Sequence, residues 1–168
     1  MLICINLCVL INQSIIFLSQ LFLIRAKNWG FKVSYSFSKS SMMNFLELDP
    51  RLQRVLNRAI KIIDFKVIEG HRDQRTQDKY FWAHTSKLKW PKSKHNQNPS
   101  LAVDIIPYPS GWKNNEAFYK LAGVVLACAH EEDVLLRWGG DWDRDGDSTD
   151  QSFMDLAHFE IFEFKGMK

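Results

Sequence analysis

Three polar side chains stand where the sequence would otherwise run apolar or quiet, and together they could hold a metal ion. Asp104 interrupts Leu-Ala-Val-Asp-Ile-Ile-Pro, His158 lies within Asp-Leu-Ala-His-Phe-Glu-Ile-Phe, and His95 sits in the turn Ser-Lys-His-Asn that leads into the Asp104 segment. An ionised aspartate in an apolar strand is costly unless something compensates its charge, and a divalent cation is one such partner. Two histidines and one carboxylate are a standard protein share of a catalytic zinc site, leaving a fourth position for water. Zinc there would polarise a substrate carbonyl and bring the pKa of that water near neutrality. Each residue alone has a blander reading as a hydrogen-bonded structural group. Only the combination points to chemistry.

The elements that must position these residues are punctuated clearly from Asp49 onward. Asp49-Pro50 reads as an N-cap followed by proline at the first helical position, and Leu52, Val55, Leu56, Ala59 and Ile63 mark one helical face. A short strand is expected over residues 65–69, a polar helix over 74–88, and a buried strand over 101–108 closed by Pro107 and Pro109. Residues 116–132 form the best helical pattern, with Leu121, Val124, Val125 and Cys128 on its apolar side. Strands follow at 134–138 and 157–164, separated by an acidic loop. Helices and strands mix without a regular βαβ rhythm, so the expected class is α+β, a small and largely antiparallel sheet with flanking helices.

The 168 residues, 46% hydrophobic and 24% charged, suit a single globular domain. Cys4, Cys8 and Cys128 can make neither a disulfide framework nor a C-x-x-C site. The net charge of +3 divides unevenly. Residues 1–42 contribute +4 through Arg25, Lys27, Lys32 and Lys39, and the rest is near neutral at −1. Nucleic acid is therefore not an expected partner. Residues 2–24 carry no charge, and about 20 apolar residues can span a bilayer as a helix. The segment 1–42 reads either as a membrane anchor or as the product of an upstream start codon, with Met42-Met43 directly ahead of the first clear helix signal. Membrane contact depends on that segment alone, and the domain is expected to occupy residues 43–168.

Ser-Lys-His-Asn-Gln-Asn-Pro-Ser-Leu-Ala-Val-Asp, followed by Asp-Leu-Ala-His-Phe-Glu, resembles the VanY-like D-Ala-D-Ala carboxypeptidase family of zinc peptidases. The branch it is most similar to is the L-alanyl-D-glutamate endopeptidases that phages use as endolysins, and the likeness runs from Leu48 to Phe164. The resemblance implies a hedgehog/DD-peptidase-like fold, Zn2+ held by His95, Asp104 and His158, and Asp155 as the general base. It also implies that Arg72, in Glu-Gly-His-Arg, holds the substrate carbonyl or the developing oxyanion, a task its fixed charge and forked donors suit. Ser93 would help hold the substrate or the metal loop. The implied partner is a peptidoglycan stem peptide, met by a monomer on the cell-wall side after synthesis in the host cytoplasm. Two departures stand out. Eight residues separate His95 from Asp104, more than the family's usual interval, which puts the pocket wall beside His95 in question. Asp155 stands where carboxypeptidase-like members often carry Glu, which favours the endopeptidase branch.

Glu160 alternates with His158 along a strand, so it could orient that ligand, or act as a rival base to Asp155. His71, His84 and His130 read as surface or cap residues, and Cys128 as core. Lys87, Lys89, Lys92 and Lys94 surround Trp90, either as a solvated loop or as a contact for an anionic cell-wall polymer. Asp141, Asp143, Asp145 and Asp147 resemble the start of an EF-hand, with Gly146 at its sixth position but Ser152 in place of the final Glu. Ca2+ binding and a plain acidic loop both fit. Function is expected to be stem-peptide cleavage at L-Ala–D-Glu. The alternatives are D-alanyl-D-alanine carboxypeptidase or dipeptidase activity, or a non-catalytic cell-wall or calcium-binding module, against which Asp155 and Arg72 argue.

Overall fold

The computed structural model describes residues 35–163. The 1–34 part of the N-terminal segment, with Cys4 and Cys8, lies outside the described residues, as does Phe164 at the end of the last expected strand. Among the described residues no helix is long and apolar enough to cross a membrane.

Among the described residues, four α-helices and four strands make up the fold: α1 Lys39–Leu46, α2 Pro50–Ala59, β1 Phe65–Glu69, α3 Gln74–Trp82, β2 Ala102–Pro107, α4 Asn115–Glu131, β3 Leu136–Trp138 and β4 His158–Ile161. The sheet runs β1-β2-β4-β3 with every pair antiparallel, as the mixed pattern predicted. Its order brings the last strand between β2 and β3, and this insertion builds the site.

Local chemistry explains the boundaries. Asp49 caps α2 by accepting from Arg51 N at 2.9 Å, and Leu52, Val55, Leu56 and Ala59 bury the face that the spacing marked. Asn114 caps α4 through Ala117 N at 3.1 Å, and Leu121, Val125 and Cys128 are buried on its apolar side. α4 packs against α2, β2 and β3. Val103, Ile105, Phe159 and Ile161 join these residues in the core. Truncating any one of the buried leucines to alanine would cost about 2–5 kcal/mol.

Two expected boundaries move. The polar helix expected to reach residue 88 ends at Trp82, because Thr85 N and Ser86 N turn back to Tyr80 O and His84 adopts a left-handed φ of 58°. The compact unit begins at Tyr35, upstream of the start expected at residue 43. α1 runs straight through that position: Ser38 caps it, Ser41 and Phe45 are buried, and Val67 N donates to Ser41 Oγ at 3.2 Å. Phe37 adds ring contacts to Phe45 and Phe65. This short helix has a weak apolar pattern of its own, so tertiary contacts with β1 hold it.

Candidate active site

The pleat of the sheet gathers the site. Cross-strand pairing sets Glu69 opposite Asp104 and Asp104 opposite His158, with Arg137 opposite Glu160 one step along β4. Alternate residues of a strand share a face. Asp104, His158, Glu160 and Arg137 thus stand on the face away from Val103, Ile105 and Phe159.

His95 arrives from a turn. Ser93 Oγ accepts from His95 N at 3.3 Å while Ser93 N donates to Asn96 Oδ1 at 3.1 Å, a reciprocal cap that fixes a single 3-10 turn over Lys94–Asn96. Asn96 Nδ2 then donates to Arg72 O at 2.9 Å, and Arg72 N donates to His95 O at 2.8 Å. The long interval to Asp104 leaves this arrangement undisturbed. Gln97, Asn98 and Pro99 point to solvent, while buried Ser100 is pinned by Oγ–H to Ala102 O at 2.7 Å and by its N–H to Glu47 O. None of those three exposed residues lines the cleft.

His95 Nε2, Asp104 Oδ1 and His158 Nδ1 converge. The two nitrogens are 3.2 Å apart, and Asp104 Oδ1 lies 3.3 Å from His95 and 3.1 Å from His158. The outer ring nitrogens face acceptors, His95 Nδ1 the Gly70 carbonyl at 2.7 Å and His158 Nε2 the Glu160 carboxylate at 3.2 Å, so both must carry hydrogen. In neutral rings the inner nitrogens are then lone pairs, and three lone-pair donors face one point. Their separations match the edge of a tetrahedron with bonds of about 2.0–2.1 Å, about 3.3 Å. The donor set therefore fits a small divalent cation. In a metal-free protein a proton does part of that work. Burial opposes a charged His158, but its hydrogen bonds to Asp104 and Glu160 win and push its pKa up to about 9. Burial works against the Asp104 charge too, and the two histidines overcome it and hold its carboxyl well below the usual range.

Asp155 lies on the wall of the same cleft, a cavity of about 680 Å³ also lined by Arg72, Trp142 and Phe153. Its backbone is fixed by Asp155 N to Gly139 O at 2.8 Å and His158 N to Asp155 O at 3.2 Å. Only glycine fits at 139, since a Cβ there would meet the Asp155 carbonyl at 2.3 Å. Burial, then the Asp104 charge, raise the Asp155 pKa above its ordinary value.

Arg72, 8% exposed, gives Nε and Nη2 to Glu69, Nη1 to Gln77 Oε1 at 3.1 Å and Nη2 to Asp104 Oδ2 at 3.4 Å. Its guanidinium also lies over the Tyr80 ring. Sequence reasoning missed Glu69, Gln77, Arg137 and Trp142. Gln77 is fully buried, accepting from Arg72 and Asn96 and donating to Ser86 and Leu88. A Gln in a polar helix carries no signal of such a role. Arg137 donates to Glu160, and Trp142 stacks on His158 at 5.4 Å. Trp142 and Arg137 flank a Gly-Gly turn, and that clustering was the available clue.

In the acidic loop, Asp141, Asp143 and Asp145 each bring a carboxylate oxygen within 4.8 Å of the others. Asp147 turns away to accept from Thr149 N at 2.8 Å and Thr149 Oγ1 at 2.7 Å.

Residues 33–162 match the family model described as phage L-alanyl-D-glutamate peptidase. The L-alanyl-D-glutamate peptidase of Escherichia phage T5 is 33% identical over 138 residues, covering 77% of this chain and 99% of that protein. The crystal structure of the Serratia marcescens L-Ala D-Glu endopeptidase ChiX superposes with a TM-score of 0.62 at 24% identity, over 79% of this chain and 94% of the other. That likeness carries the fold.

Proposed function

Since this chain belongs to the phage L-alanyl-D-glutamate peptidase family, we propose that it is an endolysin-like peptidase that hydrolyses the L-alanyl–D-glutamate bond of peptidoglycan stem peptides, with zinc held by His95, Asp104 and His158. The observation that carries the zinc reading is the convergence of three donors in the cleft that Asp155 also lines. Two imidazoles, one carboxylate and an open position suit zinc better than the oxygen-seeking magnesium or calcium. Bound there, zinc supplies a Lewis acid that polarises the scissile carbonyl and acidifies water.

The protein's own groups do the rest. Asp155 accepts a proton from the attacking water and delivers it to the leaving amine, and its raised pKa favours proton acceptance. The C–N bond breaks, the water oxygen stays on the alanyl carbonyl, and the D-glutamyl nitrogen leaves as an amine. Arg72 braces Asp104 and keeps a fixed positive charge at the cleft for the carbonyl oxygen. Ser93 serves through the His95 turn that it caps. Glu160 acts on the ligand His158 rather than on water, because His158 and Arg137 occupy its carboxylate. In the acidic loop, Asp141, Asp143 and Asp145 would hold calcium, and Asp147 supports the loop through Thr149.

Mass spectrometry of fragments from digested peptidoglycan tests the reading. Released stem peptides should begin with D-glutamate. Release of D-alanine alone would instead make the protein a D,D-carboxypeptidase, and no release at all would leave a binding module.

A further inference from the structure

One rim of the cleft follows α3, where the sequence between Asp78 and Asp104 contains five lysines and no acid. Lys87, Lys89 and Lys92 are exposed, and Lys94 is half-buried. Several basic side chains elsewhere meet carboxylates, as Arg58 meets Glu132, Lys120 meets Glu116 and Arg137 meets Glu160, while others among the described residues, such as Lys61 and Lys113, do not. Among the described residues, none of these four lysines is paired with a carboxylate. Aromatic rings hold two of them instead. The Lys89 ammonium lies 4.9 Å from the Phe81 ring centroid and 5.2 Å from that of Trp82, and Lys87 lies 5.4 Å from that of Phe153. A ring positions an ammonium without cancelling its charge. Lys87 and Lys94 also line the cleft beside His95 and Asp104, so the basic strip runs from open surface into the site.

We propose that this strip, Lys87, Lys89, Lys92 and Lys94, is a docking surface for the carboxylates of the peptidoglycan polymer, engaging the stem peptides that continue or neighbour the one in the cleft. The inference rests on the proposed function for the identity of the polymer. A glutamyl residue in a stem peptide keeps one carboxylate whichever carboxyl continues the chain, and another stands at the stem's C-terminus. A polymer of repeated stems therefore presents many anions at once, and several weak ammonium contacts on one rim add up.

Cosedimentation of the full chain with purified sacculi, on ice and for intervals too short for lysis, tests the proposal. Binding by the parent should weaken steeply with added salt. The triple variant Lys87→Glu/Lys89→Glu/Lys92→Glu should bind about tenfold more weakly at low salt. The triple glutamine variant should fall between the two, with unfolding temperatures unchanged because the side chains are exposed. Sacculi whose carboxylates have been amidated should lose the parent to a similar degree. Equal sedimentation of parent and charge-reversed variant overturns the proposal. Full binding to amidated sacculi also overturns it and points to a different wall polymer. Cosedimentation needs no turnover, so a parent that docks this way yet releases no fragment counts against the proposed function and not against the docking surface.

Discussion

His158 and Glu160 face each other across 3.2 Å, from the ring nitrogen that points away from Asp104 to a carboxylate that Arg137 holds from the other side. A carboxylate on the outer nitrogen fixes the tautomer that turns a lone pair inward, and it raises the basicity of that lone pair. Glu160→Ala should leave the fold intact and weaken zinc binding about 10–100-fold, the usual cost of losing such a partner. His158→Ala should abolish stoichiometric zinc. Titration against a chelator of known affinity checks both, and an unchanged affinity in the Glu160 variant would remove its assigned role.

Asp155→Asn separates catalysis from binding. The amide keeps the size of the carboxylate but cannot take up the proton. Zinc content and sacculus binding should persist while turnover drops by roughly 10²–10⁴, the worth of a positioned acid–base group. Turnover equal to the parent would move the base elsewhere.

Calcium should act through the loop between β3 and Asp155. Gathering Asp141, Asp143 and Asp145 around a cation removes their mutual repulsion and stiffens the segment that carries the base. With zinc held constant, millimolar calcium should raise the unfolding temperature, and Asp143→Asn should blunt the rise. A loop that binds nothing will show the same melting curve with and without calcium.

A chain shortened to begin at Met43 loses the Ser38 cap, the Ser41 hydrogen bond to Val67 and the Phe37 ring contacts. One cap is worth about 1 kcal/mol and each aromatic pair about 0.5–1.5 kcal/mol, so stability should fall by roughly 2–4 kcal/mol against a chain that begins at Tyr35. Urea denaturation of the two forms compares them directly. Equal midpoints would show that α1 contributes nothing.

Much of the frame was legible because its signals are local. The Asp49-Pro50 cap, the Leu52–Ala59 face and the apolar stripe of α4 depend on residues a few positions apart, and each appears where the spacing indicated. The polar intruders His95, Asp104 and His158 were legible too, since a charged group in an apolar strand needs a partner whatever the fold. α1 was missed because its pattern is weak and its stability comes from β1, far along the chain. The overlong polar helix was a comparable error: nothing nearby announces the turn at His84.

By itself, then, the sequence marked His95, Asp104 and His158 as a candidate metal set, and showed that strands and helices would alternate irregularly around them. Only the tertiary structure decided that β4 enters between β2 and β3 and brings His158 opposite Asp104. It also decided that Glu160 meets the outer nitrogen of His158, that Arg72 is shared among Glu69, Gln77 and Asp104, and that Lys87 and Lys94 line the cleft. The reason is physical. Residue type and spacing set local conformational preference, whereas strand order and cross-strand register come from how the whole apolar surface is buried, and that is a property of the assembled chain.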